Sequence, residues 1–136
     1  MVKVISFGHR IPQTVKNQLR EKFKNVRFYE VRFHLEMHLP LMPQITDIVM
    51  PVINGDDSPP FVILPGTSVA SGLLMSLMYG YFGFFPYVVE LNRNEKKHWE
   101  WNLKEIHDLE SIKSQARSSR MSPKCNPKSG SGVIVS

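Results

Sequence analysis

Two short segments carry the residue types that hold phosphate. In Gly8-His9-Arg10 a glycine allows close backbone approach, an imidazole can exchange a proton, and a guanidinium can grip an oxyanion through paired hydrogen bonds. In Pro65-Gly66-Thr67-Ser68 two hydroxyls open a run with helical spacing, so the turn offers unpaired backbone N–H groups and the positive end of a helix dipole. Arg93 adds a second guanidinium at the end of the strand expected to follow that helix. Neither segment is a nucleotide-hydrolysis motif. Pro65-Gly66-Thr67-Ser68 lacks the lysine and the long glycine-rich loop of a Walker sequence, and no GxGxxG occurs. His34 and His38 are four apart with Glu36 between them, but this is not HExxH: the glutamate is misplaced and a third ligand is missing. No metal and no cofactor are expected.

These segments become a site only if the fold brings them together. Residues 59–93 supply the clearest unit. No charge occurs between Asp57 and Glu90, and the apolar run at 61–64, closed by Pro65 and Gly66, reads as a strand buried on both faces. A helix follows, with an N-cap oxygen from Thr67 or Ser68, a stripe of Val69, Leu73, Leu77 and Tyr81, and Gly83 at its left-handed end. Residues 86–91 form the next strand, completing a βαβ crossover. Leu74, Met75, Met78 and Phe82 fill the flanks of the stripe, so the helix is apolar nearly all round and needs two covers. Its sheet is one. A second subunit is the expected other, with Gly72 and Gly80 allowing close approach, and replacing Leu74 or Met78 by Glu is expected to separate the subunits if those residues lie at the interface. A membrane span over residues 66–85 competes with this reading, but four glycines, four hydroxyl residues and strand-like flanks oppose it.

Around that unit the chain reads as alternating strands and helices. Val2, Val4, Ile5 and Phe7 form a first strand ending at Gly8. Pro12 opens a helix whose inner face is Val15, Leu19 and Phe23. Residues 26–33 alternate as an edge strand, and residues 41–54 form a crossover helix despite Pro51. The polar turn at 92–97 is too short for a crossover, so residues 98–103 return antiparallel as an edge strand carrying Trp99 and Trp101. A last helix starts near Asn102, with Glu105 in a capping box and Ile106, Leu109, Ile112 and Ala116 on its buried side. Right-handed crossovers then order the strands second, first, third, fourth, fifth. The expected fold is α/β: a Rossmann-like three-layer sandwich on a mainly parallel five-stranded sheet with an antiparallel edge strand. Its topological switch lies between the first and third strands, which brings Gly8-His9-Arg10 opposite Pro65-Gly66-Thr67-Ser68.

Composition sets further bounds. With 136 residues the chain is expected to hold one domain, residues 1–120, and a basic, unstructured tail, residues 121–136. Twelve Lys/Arg and twelve Asp/Glu cancel in residues 1–110, so the whole net charge of +5 lies beyond them. A body without charge excess is not expected to bind duplex DNA. The single cysteine, Cys125, excludes an internal disulfide, and without a signal peptide the expected compartment is the cytoplasm.

Over residues 1–120 the chain resembles the small CRISPR-associated Csx-fifteen family, single-domain relatives of the CARF-type Rossmann-like proteins of type III systems. The most specific stretch is FVILPGTSVASGLLMSLMYGYFGFFPYVVELNR, and EIHDLESIKSQARSSR is similar to the family's C-terminal helix. The family's turn after the central strand often has a Pro-Pro-Ser character, where this chain has PGTS. The resemblance implies a cytoplasmic homodimer that binds cyclic tetra-adenylate, the second messenger of type III antiviral defence. Gly8, His9, Arg10, Pro65, Gly66, Thr67, Ser68 and Arg93 would be its ligand-binding residues. With no effector domain on these residues, sequestering the messenger is the expected role, and no residue is expected to be catalytic. A ring nuclease using His9 and Arg10 is the alternative within the same site. A protein-interaction subunit using the tryptophan-bearing strand or the basic tail is the alternative from another class.

Overall fold

Strand β1 (Val2–Phe7) sends apolar side chains to both faces of the sheet, each of which is covered by helices, with Lys3 paired to Asp56 at its start. Val4 enters one core with Val15 and Leu19, while Ile5 and Phe7 enter the other with Ile45, Val49 and Leu74. This alternation runs through the whole computed structural model, which describes residues 1–120. The expected basic tail at 121–136, Cys125 included, lies outside the described residues.

The element order is β1, α1 (Gln13–Lys22), β2 (Val26–Val31), α2 (Leu41–Ile53), β3 (Phe61–Ile63), α3 (Ser68–Phe82), β4 (Tyr87–Arg93), β5 (Trp101–Asp108) and α4 (Leu109–Arg120). The sheet order is β2-β1-β3-β4-β5, parallel except for the β4–β5 pair. Helix α1 covers one face, and α2 with α3 covers the other. The fold is therefore the expected Rossmann-like sandwich. No helix among the described residues is long and apolar enough to cross a membrane.

Helix α3 departs from its expected orientation. Its fully buried residues are Ala70, Leu74 and Met78, while Val69 is 61% exposed and Tyr81 is 40% exposed. The inner stripe is thus one residue later than the expected Val69, Leu73, Leu77 and Tyr81, of which Leu73 and Leu77 are half-buried flanks. An all-apolar helix gives periodicity little to choose between, and the structure buries Ala70, Leu74 and Met78. The opposite, exposed face presents Val69, Gly72, Ser76 and Gly80. Leu74 and Met78 belong to the core of one chain and cannot form a subunit interface. Thr67 occupies the N-cap position as expected, but its hydroxyl makes no capping bond. Instead the Ser71 hydroxyl donates back to the Pro65 and Thr67 carbonyls, at 3.2 and 3.0 Å. Gly83 ends the helix at φ +77°, as its position predicts.

The C-terminal elements differ most from expectation. Strand β5 continues to Asp108, and α4 begins at Leu109 rather than near Asn102. Glu105 and Ile106 lie on the strand, so there is no capping box at Glu105. Asp108 caps α4, accepting the Ser111 N–H at 3.1 Å. Trp99 precedes β5 in the turn and is 79% exposed, so only Trp101 lies on the strand. The reason is a bulge: Glu90 pairs with Glu105 but Leu91 pairs with Leu103, leaving Lys104 as the extra residue. Leu103 and Ile106 consequently face the α1 core together although three apart, a spacing that mimics a helix. No residue of α4 is buried, and Ile112 is 53% exposed. The helix is attached through Glu110, which accepts the Phe85 N–H at 2.8 Å, and Lys113, which donates to the Tyr79 hydroxyl at 3.1 Å.

Two outcomes follow. Leu74→Glu should destroy the fold rather than release a folded monomer, because an unpaired carboxylate there costs several kcal/mol against the roughly 5–15 kcal/mol that stabilise a domain. A circular dichroism melt with light scattering on the same sample checks this, and a cooperative melt with halved mass would contradict it. The Phe85 N–H, followed by Lys113, lowers the Glu110 pKa below its ordinary 4.5. Its stabilising contribution is therefore complete above that value and lost as the pH falls through the lowered one. Glu110→Gln should make the melting temperature less sensitive to acid over that range.

Candidate functional site

The site begins where β1 ends. Ser6, fully buried, donates its hydroxyl to the His9 carbonyl at 2.7 Å, and the Gly8 N–H donates to the Val31 carbonyl at 2.9 Å. Gly8 adopts φ +90°, and a Cβ there would lie 3.5 Å from the Phe33 Cβ. Glycine is required at this turn for its backbone conformation. The turn is pinned from below by Ser6 and from the side by β2, so the exposed side chains of His9 and Arg10 project from a fixed base.

The second turn lies beside it. A Cβ on Gly66 would stand 4.0 Å from His9 Nε2, so the imidazole lies beside Gly66. Gly8, His9, Pro65, Gly66 and Thr67 line one cavity of about 270 Å3, with Phe7, Phe33, Leu35 and Met37 completing its lining. The two segments singled out in the sequence therefore meet beyond the strand ends. Ser68 is exposed at the start of α3 and lines none of the cavities described here. The first turn of α3 receives no side-chain cap, so its N–H groups and dipole are directed outward. Arg93 stacks on Trp101, its guanidinium carbon 5.0 Å from the ring centroid, and lines none of the cavities described here.

Two further recesses share His9 and Arg10. One, of about 380 Å3, is bordered by Glu30, Arg32 and His34. The larger, about 560 Å3, runs from the β1 turn to the β4–β5 hairpin and is walled by Ile63, Leu64, Val89, Leu91 and Trp101. It exists because β3 stops at Ile63 while β4 continues to Arg93. Register pairs between β3 and β4 end at Val62 and Val88, so the β4 edge beyond Val88 has no strand beside it.

Glu90 was not a candidate from the sequence. Its Oε1 lies 2.7 Å from His107 Nε2 and its Oε2 accepts from Lys104 Nζ at 3.0 Å. These hydrogen bonds, His107 first, lower its pKa. Glu105, with an oxygen 3.7 Å from His107 Nε2, completes a group whose ligand atoms lie within 4.8 Å of one another. The signal was present as a lone carboxylate after thirty-two uncharged residues, but its partners depend on the bulge at Lys104. Arg32 was also missed, although the parallel pairing of Phe7 with Val31 brings it beside Gly8. His34 and His38 flank Glu36 at 3.6 and 3.8 Å in an exposed loop.

No family model, curated protein or solved structure matches this chain.

Ser6→Ala should loosen the turn. Losing the hydroxyl that holds the His9 carbonyl should cost about 1 kcal/mol in urea denaturation. The same substitution should broaden the His9 and Arg10 resonances, whereas unchanged stability and spectra would show that Gly8 alone fixes the turn.

Proposed function

We propose that the protein binds cyclic tetra-adenylate as a homodimer and holds it as a reversible sink that moderates type III CRISPR antiviral signalling. The observation that carries this reading is the meeting of the Gly8-His9-Arg10 turn with the Pro65-Gly66-Thr67 turn outside the C-terminal ends of β1 and β3. The His9 imidazole meets the uncapped start of α3 at the cavity these turns share, and the Arg10 guanidinium borders the two neighbouring recesses that His9 also lines. Such a surface suits a phosphodiester. The ligand has four phosphates and near two-fold symmetry, and each protomer offers a one-sided surface. Two copies across a two-fold axis would enclose the ring.

Holding the ring requires less than opening it. Metal-independent cleavage needs a ribose 2′-hydroxyl in line with its phosphate and stabilisation of the developing charge. His9 and Arg10 could take part, but the exposed imidazole has no side-chain partner among the described residues to orient it. The reading is therefore a sink, with ring opening by His9 as the outcome that would replace it.

Incubation with labelled cyclic tetra-adenylate, followed by separation of bound, intact and cleaved species, tests both. Stoichiometric capture of intact ring is expected. Multiple turnovers to linear product, stopped by His9→Ala, would make the protein a ring nuclease. Arg10→Ala should weaken binding by about 1.5–3 kcal/mol per site and Ser68→Ala by less. Removal of residues 121–136 should matter less than either. Loss of binding on that removal, with Arg10→Ala unaffected, would assign the ligand to the basic segment.

A further inference from the structure

The 560 Å3 cleft is too apolar to be explained by phosphate. Its walls are Ile63, Leu64, Val88, Val89, Leu91 and Trp101, yet it opens directly onto His9 and Arg10. A mainly apolar recess with a few fixed polar groups suits a flat heterocycle. Besides His9, Arg10 and His107, two polar features border it. One is the main-chain edge of β4 beyond Val88, which has no β3 residue in register beside it, and the other is Glu90, which lines the cleft together with His107. A negative charge beside a phosphate site would be unfavourable by itself, but Lys104 and His107 each hold one of its oxygens, at 3.0 and 2.7 Å. Each oxygen keeps a second lone pair for a donor in the cleft. The same two partners keep the group ionised and acceptor-only at neutral pH.

We infer that the cleft receives a nucleobase of the ligand whose phosphate lies at Gly8-His9-Arg10, and that Glu90 selects a purine carrying an exocyclic amino group. The inference rests on the proposed nucleotide ligand and adds the residue that distinguishes its base. Selection follows from what is left unpaired. Adenine donates its amino hydrogen to the fixed carboxylate, whereas the same ring without the amino group leaves that carboxylate desolvated against a C–H. Trp101 supplies apolar area to either ring, and so contributes affinity without preference.

The test uses adenosine 5′-monophosphate and purine riboside 5′-monophosphate, which differ only in that amino group. Binding is followed by saturation-transfer NMR and by the Trp101 indole N–H resonance. The wild-type protein should prefer the amino-bearing nucleotide by about tenfold or more. In Glu90→Leu that ratio should fall to about one, and because it is measured within one preparation it does not depend on the amount of folded protein. Trp101→Ala should weaken both nucleotides alike. Equal binding of the two by the wild-type protein, or no shift at Trp101 with millimolar nucleotide, would overturn the base cleft even if cyclic tetra-adenylate is captured. Preference for the amino-bearing monophosphate without capture of the ring would instead leave the cleft standing and remove the cyclic ligand.

Discussion

Strand β3 pairs with its neighbours through Phe61–Ile63 alone, whereas β1 runs six residues and β4 seven, so the sheet has a notch at its centre where the chain leaves it for α3. The notch fixes most of what is distinctive. It brings the Pro65-Gly66-Thr67 turn beside His9, and it leaves one edge of β4 without a β3 partner beyond Val88. It also requires β4 to be supported from its other side, which β5 does through seven register pairs. A longer β3 would fill the cleft with backbone and raise the α3 N-terminus away from the β1 turn.

The support for β5 comes partly from across the sheet. Gln18 on α1 accepts the Leu103 N–H at 2.8 Å and donates to Asn102 at 3.2 Å, while Thr14 donates to the Trp101 carbonyl. Helix α1 thereby ties the β1 turn, which precedes it, to the hairpin wall opposite. The bulge at Lys104 brings Lys104 and His107 to the two oxygens of Glu90. Both sides of the cleft are thus held by hydrogen bonds between elements distant in sequence, and the site geometry depends on them as much as on the cores beneath.

The strand order, the βαβ unit and the approach of the two turns were legible in the sequence, because they follow from strand-helix alternation and the handedness of crossovers. The Gly83 cap was legible for a similar reason, since a single residue type satisfies a single backbone conformation. What was not legible depended on three-dimensional choices. The inner face of α3 could not be read from a helix whose residues are apolar on nearly every side. The extent of β5 was hidden because Ile106 stands at helical spacing from Leu109, Ile112 and Ala116, although it lies on the strand and only the residues from Leu109 onward are helical. Glu90 drew no attention because its partners come from that same bulged strand. The hydroxyls of Thr67 and Ser68 were expected to cap α3 and do not, which leaves the helix end open at the proposed ligand surface.

Amide hydrogen exchange with and without cyclic tetra-adenylate tests the central claim most directly, because it reports where backbone N–H groups become engaged. The account predicts slowed exchange over residues 8–11 and 66–70, with smaller changes along β4 beyond Val88. Protection confined to α1, α4 or residues 121–136, with both turns unchanged, would contradict it.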